Sequence, residues 1–224
     1  ITAHTQGGSL HDGLIASAAA CWFRSKAAEL AEQQKPWFLA VNLVNPHDVM
    51  FYDTDEPGQP MQAKSALTHL AGDPAHAMYK KQWDIDLPAS FKQPIDAPGR
   101  PAAHTDHTIG NDVMTGPIPA NEEWRWRKRQ NFYLNALQDV DRHIMTVLDE
   151  LEDRGLADST IVILTSDHGE NLFDRVLLFA GTRVAYTVNR GAVVGTTVNT
   201  TRPAARPEEY PIDGSGQLLL LAEE

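Results

Sequence analysis

An α/β fold built on a largely parallel central sheet flanked by helices is what this sequence predicts. Twice along the 224 residues a stretch of helical periodicity runs into a short, nearly continuous apolar segment, the mark of a buried strand. Each apolar segment stops at metal-competent polar residues, His47 and Asp48 after the first and Asp167 and His168 after the second. In open parallel sheets, ligands sit just beyond the carboxyl ends of the strands. Parallel, neighbouring strands would therefore bring these four residues to one rim.

The first helix is expected over about Asp12 to Gln34, where Leu14, Ile15, Ala18, Ala19, Trp22, Phe23, Ala27, Leu30 and Ala31 recur at three-to-four spacing. Ser9 or Asp12 is its expected N-cap, and Pro36 ends it. The strand Trp37 to Val44 follows, and Pro46 in Asn45-Pro46-His47-Asp48 stops it. From about Asp53 to Glu123, nine prolines and five glycines break any sustained period. A structureless stretch that long is unusual in a compact domain, so the sequence predicts a decorated excursion with short elements.

The second unit begins at Trp124. Tyr133, Leu137, Val140, Ile144, Val147, Leu148 and Leu151 form one helical stripe through to Arg154, with Asp139, Asp141, Arg142, Glu150 and Asp153 expected mostly on the opposite face. Gly155 is a suitable C′ residue. The run Thr160 to Thr165 then leads into Ser166-Asp167-His168-Gly169-Glu170. Beyond Asn171 the apolar clusters follow no clear period, although Asn189, Gly191, Gly195 and Asn199 suggest turns.

The totals exclude more than they propose. A net charge of −11 argues against nucleic acid as a partner, which requires a basic face. One cysteine, Cys21, excludes an internal disulfide framework and a cysteine-rich zinc site, and it reads as a small buried core residue. No apolar run approaches the roughly 18–20 residues of a membrane span. The opening Ile1-Thr2-Ala3 carries no Met and no basic-then-apolar leader, as expected of a chain processed or truncated at its front.

The stretch from Phe132-Tyr133 through Val140-Asp141, Val147-Leu148-Asp149, Arg154-Gly155-Leu156 and Thr165-Ser166-Asp167-His168-Gly169-Glu170 resembles the sulfatase family of the alkaline-phosphatase superfamily. Pro36-Trp37-Phe38-Leu39 with Asn45-Pro46-His47 resembles the family's other internal landmark, and Asp86-Leu87-Pro88-Ala89-Ser90-Phe91 a proline-containing segment between the two. The resemblance covers about Asp12 to Glu170 and implies an alkaline-phosphatase-like fold, here incomplete. It implies that Asp167 and His168 help hold a divalent metal, calcium first and manganese second, since a carboxylate suits such a hard ion and an imidazole favours manganese. His47 would donate to the oxygens of a small-molecule sulfate, phosphate or phosphonate ester. His168 would alternatively face the leaving-group oxygen.

The departures from the family are as specific. Its C/S-x-P/A-S-R motif, whose first residue becomes formylglycine, has no match; Cys21-Trp22-Phe23-Arg24-Ser25 has the wrong order and spacing. The paired aspartates of the family's N-terminal region are absent, no lysine follows Lys128, and Asp48-Val49 stands where a further proline is common. The resemblance stops at Asn171, as expected of a frameshift, a chimeric assembly, a fragmentary gene model or a divergent insertion. Residues 1–170 are thus expected to form part of a sulfatase-like catalytic domain, and 171–224 a segment of unassigned fold.

The expected function is that of a fragment of a metal-dependent sulfuric-ester hydrolase, inactive as this chain alone. Two alternatives stay open: a phosphonate or phosphate ester hydrolase of the same superfamily, and a non-catalytic binding domain on the same scaffold. Three motifs have plainer readings. Asp167-His168-Gly169 also suits a strand-to-loop turn, and His104-Thr105-Asp106-His107 a solvated loop. Trp124 to Arg129 reads as a helix start with snorkelling side chains.

Overall fold

The computed structural model describes residues 6–165, 182–189 and 192–199. The chain divides into two compact units, one of residues 1–150 with 171–177, the other of residues 151–170 with 178–224.

In the first unit, α1 spans Gly7–Trp22 and runs through a π turn, Phe23–Ala27, into the short α2, Ala28–Glu32. Its buried stripe is Asp12, Ala16, Ala19, Ala20, Phe23 and Ala27, so small residues let the helix approach its neighbours closely. That stripe is rotated from the expected one: Leu14, Ala18 and Ala31 are exposed, and a carboxylate occupies the inner face instead. Cys21 is exposed too, contrary to its expected place in the core, because it lies on the solvent row with Ser17 and Ser25. The N-cap position belongs to Gln6, without a side-chain cap bond, rather than to Ser9 or Asp12.

The helical path closes in a Schellman-type turn, with Lys35 N–H bonded to Leu30 O at 2.9 Å and Gln34 N–H to Ala31 O at 3.0 Å. Gln34 holds the left-handed position at φ 54°. The extended segment 37–44 follows, and Trp37 packs edge-on against Trp22 and Phe23 at centroid distances of 5.2 and 5.8 Å. Along it Trp37, Leu39, Val41 and Leu43 are half-buried while Phe38, Ala40 and Asn42 are exposed, the period of two that a strand shows. Phe38 is 88% exposed.

The long excursion is held by buried polar groups, which explains why no apolar period announces it. Gln62 is fully buried; its Oε1 accepts from Thr54 N–H at 2.9 Å and its Nε2 donates to Thr115 O at 3.2 Å. Gly116, at φ 75°, lies against the Gln62 backbone, where a Cβ would come within 2.5 Å of Gln62 Cα. Asp55 accepts from the N–H groups of Met61, Gln62 and Ala63 and from Arg125 Nη1 at 2.7 Å. Burial pushes its carboxyl up, but these donors more than offset that and hold it below the usual range. Within the excursion, α3 covers Ala102–Thr115. His104 to His107 are therefore helical, not a solvated loop: Pro101 fixes a start and no proline interrupts the next fourteen residues.

The helix α4, Glu123–Asp153, carries the core. Phe132 and Ala136 pack with Val49, Tyr52 and Tyr79, and the Tyr52 ring stacks on Phe132 at 4.2 Å. Phe91, in the 3₁₀ turn Ala89–Lys92, meets Trp126 edge-on at 5.4 Å. Two corrections to the expected helix faces follow. Asp139 and Glu150 are buried, because Tyr79 and Arg142 bond the first and Arg24 the second. Arg125 does not snorkel: it is buried between Asp55 and Glu122.

In the second unit α4 ends in another Schellman turn, with Leu156 N–H to Leu151 O at 3.1 Å and Gly155 N–H to Glu152 O at 2.8 Å. Gly155 takes the left-handed position at φ 65°, as its C′ assignment requires. A 3₁₀ turn, Ala157–Ser159, leads into an extended run in which Thr160, Val162 and Leu164 are half-buried and Ile161 and Ile163 exposed. Further on, β1 (Thr182–Asn189) and β2 (Ala192–Asn199) pair antiparallel, from Thr182 opposite Asn199 to Asn189 opposite Ala192. Asn189 ends β1, whereas Gly195 and Asn199, also expected at turns, lie within β2, where the pairing with β1 carries them; Gly191 lies outside the described residues.

Among the described residues this antiparallel pair is the sheet. The runs 37–44 and 160–164 are extended with strand-like alternation, yet neither joins a parallel ladder among those residues. A ladder needs a neighbour presenting N–H and C=O groups in register. At the end of the first run that role falls to a side chain, as the site below describes.

Candidate active site

The first apolar run delivers Asn45-Pro46-His47-Asp48, whose Asn45–Pro46 peptide is cis. His47 opens the 3₁₀ turn His47–Phe51, its N–H bonded to Val44 O at 3.1 Å and its ring 5.8 Å from that of Phe51. The His47 side chain is exposed, whereas Asn45 and Asp48 on either side of it are buried.

Two buried carboxylates hold this turn reciprocally. Asp12, on the inner face of α1, accepts from the backbone N–H of Val44 at 2.7 Å and of Asn45 at 3.0 Å. Asp48 accepts from Gly8 N–H at 3.0 Å and from Ser9 N–H at 3.2 Å, capping the open N–H groups of α1. Asp48, expected among the metal-competent residues at the strand end, is thus turned inward and engaged. Burial pushes both carboxyls above the usual range, against the lowering effect of the donated N–H bonds.

A third anchor reaches α4. Asn45 Nδ2 donates to the Tyr79 hydroxyl at 3.2 Å, which donates to Asp139 Oδ2 at 2.8 Å. Arg142 Nε donates to Asp139 Oδ1 at 2.6 Å, and His143 Nε2 lies 3.5 Å from the same oxygen. Burial, then the Asp139 carboxylate, raise the Tyr79 hydroxyl well above its ordinary value, so it stays protonated and donating. Gly8 completes the fit: a Cβ there would collide with the Asn45 side chain.

Sequence reasoning named His47 and missed Asp12, Asn45, Tyr79 and Asp139 as its supports. The signal for Asp12 was present, since a charge lies four residues before Ala16 on the row that turns inward. Asp167 and His168 lie outside the described residues, as does Asn171. Among the described residues no group of three His, Cys, Asp or Glu side chains could hold a metal ion, and no helix is long and apolar enough to cross a membrane. A cleft of about 440 Å³ lies beside Tyr52 and Tyr79, but its polar lining is already paired, Lys128 with Glu56 at 2.8 Å and Tyr52 with Asp73 at 2.9 Å.

The chain belongs to the sulfatase family, whose model matches residues 17–207. The match runs beyond Glu170, and membership implies the alkaline-phosphatase-like α/β fold. Among curated relatives, the chain is 27% identical over 150 residues to the multifunctional alkaline phosphatase superfamily protein PehA of Trinickia caryophylli, covering 64% of this chain and 25% of that protein. It is 30% identical over 148 residues to iduronate 2-sulfatase of Homo sapiens, covering 64% of this chain and 24% of that protein. The chain thus spans about a quarter of the length of these relatives. No solved structure matches it.

Proposed function

We propose that this chain carries one part of the active site of a metal-dependent sulfuric-ester hydrolase, with His47 donating a hydrogen bond to the sulfate oxygens. The observation that supports the reading is the contrast at the turn: an exposed imidazole between two buried, bonded neighbours. A donor aimed at developing charge is effective when it is held in place before the charge appears.

Asp167 and His168 are the proposed metal ligands, with His168 facing the leaving-group oxygen as the alternative role. One carboxylate and one imidazole suit calcium or manganese in type. They make two donors, and the described residues add no cluster to complete the set. A divalent cation bound there would polarise the ester as a Lewis acid. The sequence also contains no C/S-x-P/A-S-R nucleophile motif. On this reading the 224 residues alone are expected not to turn over ester. Saturable hydrolysis of an aryl sulfate by this chain, abolished by Asp167→Ala, would overturn that statement.

A second reading, hydrolysis of phosphate or phosphonate esters, is favoured by the likeness to a multifunctional alkaline phosphatase superfamily protein. A panel of sulfate, phosphate and phosphonate esters on an intact homologue separates the two. The third, a non-catalytic binding domain, predicts a cooperative melt indifferent to calcium and manganese. A retained metal site predicts stabilisation of about 2.7 kcal/mol at a hundredfold excess of ion over Kd.

A further inference from the structure

We infer that Asp12 and Asp48 are positioning residues for His47, fixing the backbone on both sides of it so that its imidazole meets an oxyanion in one orientation. The inference rests on the role proposed for His47 above.

The two carboxylates are costly choices if the turn only needed packing. Asp12 is 0% and Asp48 1% exposed, and among the described residues neither has a Lys or Arg partner; each is satisfied by backbone N–H groups. An apolar side chain of similar size would fill the same space without the desolvation of a charge. What a carboxylate adds is direction, because it accepts two successive N–H groups and fixes the peptide planes that carry them.

Asp12 fixes residues 44 and 45, before His47, to α1. Asp48 fixes the residue directly after His47 to the first turn of the same helix. Asn45, seated over Gly8, adds the tie to Tyr79 and so to Asp139 on α4. His47 is left exposed beside the buried Asn45, Asp48 and Val49. Its backbone is tied on both sides and its ring faces solvent. Displacement of a contacting group by about 1 Å can cost a large factor in function, and this double tether opposes such displacement.

A double-mutant cycle on the full chain tests the inference, with inorganic sulfate as the probe and calorimetry reading its dissociation constant. His47→Ala is expected to weaken sulfate roughly tenfold, through loss of a hydrogen bond to a charged group. Asp48→Asn should weaken it by a similar factor, about tenfold, by loosening the turn. In the His47→Ala background the same Asp48→Asn change should cost less than about twofold, because its effect passes through His47. Asp12→Asn, which keeps one acceptor oxygen, serves the same cycle if Asp48→Asn does not melt cooperatively. The inference is overturned if the Asp48→Asn loss persists undiminished without His47, or if both carboxylate variants lower the melting temperature and leave sulfate affinity unchanged. If His47→Ala itself leaves sulfate affinity unchanged, the role of His47 fails first, a result distinct from failure of the coupling.

Discussion

The two passages from helix to extended segment in this chain solve one problem in different ways. The second is closed locally: Gly155 takes the left-handed position, Leu156 bonds back to Leu151, and a short 3₁₀ turn starts the run at Thr160. The first has the same hydrogen-bond pattern at the helix end but places Gln34 in the left-handed position. At its far end it is held by Asp12 and Asp48, from residues more than thirty positions away. Local closure depends on backbone sterics, and remote closure on buried charge. The difference teaches that the turn bearing the exposed histidine is the one on which the fold spends buried charge.

The strongest way to break the comparison is Asp48→Ala, which strips the acceptor from Gly8 and Ser9. Two buried or part-buried donors left unmet should cost about 2–4 kcal/mol, read by urea unfolding. A loss below about 0.5 kcal/mol would mean water replaces the carboxylate freely. Next in size is a mirrored pair at the two helix ends. Gly155→Ala should destabilise and Gln34→Gly stabilise, each by about 1 kcal/mol, because only glycine takes positive φ without a Cβ penalty. Equal signs in the two variants would show that left-handed strain does not distinguish the two ends.

The smallest effect lies in the pH dependence. The Asp12 and Asp48 carboxyls are raised above 3.8 in the folded chain, so the folded state holds protons more tightly than the unfolded one. Their contribution is then most favourable below pH 3.8 and declines as pH rises from there through the raised values. Asp55, held lower, works in the opposite sense, its contribution being lost as pH falls below 3.8. Stability of Asp48→Asn relative to the parent chain should therefore improve as pH rises from about 4, measured by urea unfolding at several pH values. A flat difference would show that Asp48 titrates alike in both states.

How legible the molecule was follows from which interactions are local. The helix expected from Trp124 to Arg154 is observed at Glu123–Asp153, because its apolar stripe spans many turns and Gly155 marks its end. The helix at Ala102–Thr115 was missed, since Gly110 and a thin apolar content leave little periodic signal and packing decides instead. The buried face of α1 was misread for a related reason. Apolarity was counted, and the residue that matters most on that face is an aspartate.

The sequence by itself determined the two passages from helix to extended segment, the ending of the first at Pro46-His47 and the second helix's closure at Gly155, together with the motifs that mark the sulfatase family. These depend on neighbours within a few positions, where side-chain period, proline and glycine act directly. The tertiary structure alone decided that Asp12, Asp48 and Asp139 turn inward and that Arg125 is buried. A buried charge is tolerated only where distant donors or counter-charges meet it, and sequence spacing does not show which residues forty or sixty positions apart will do so.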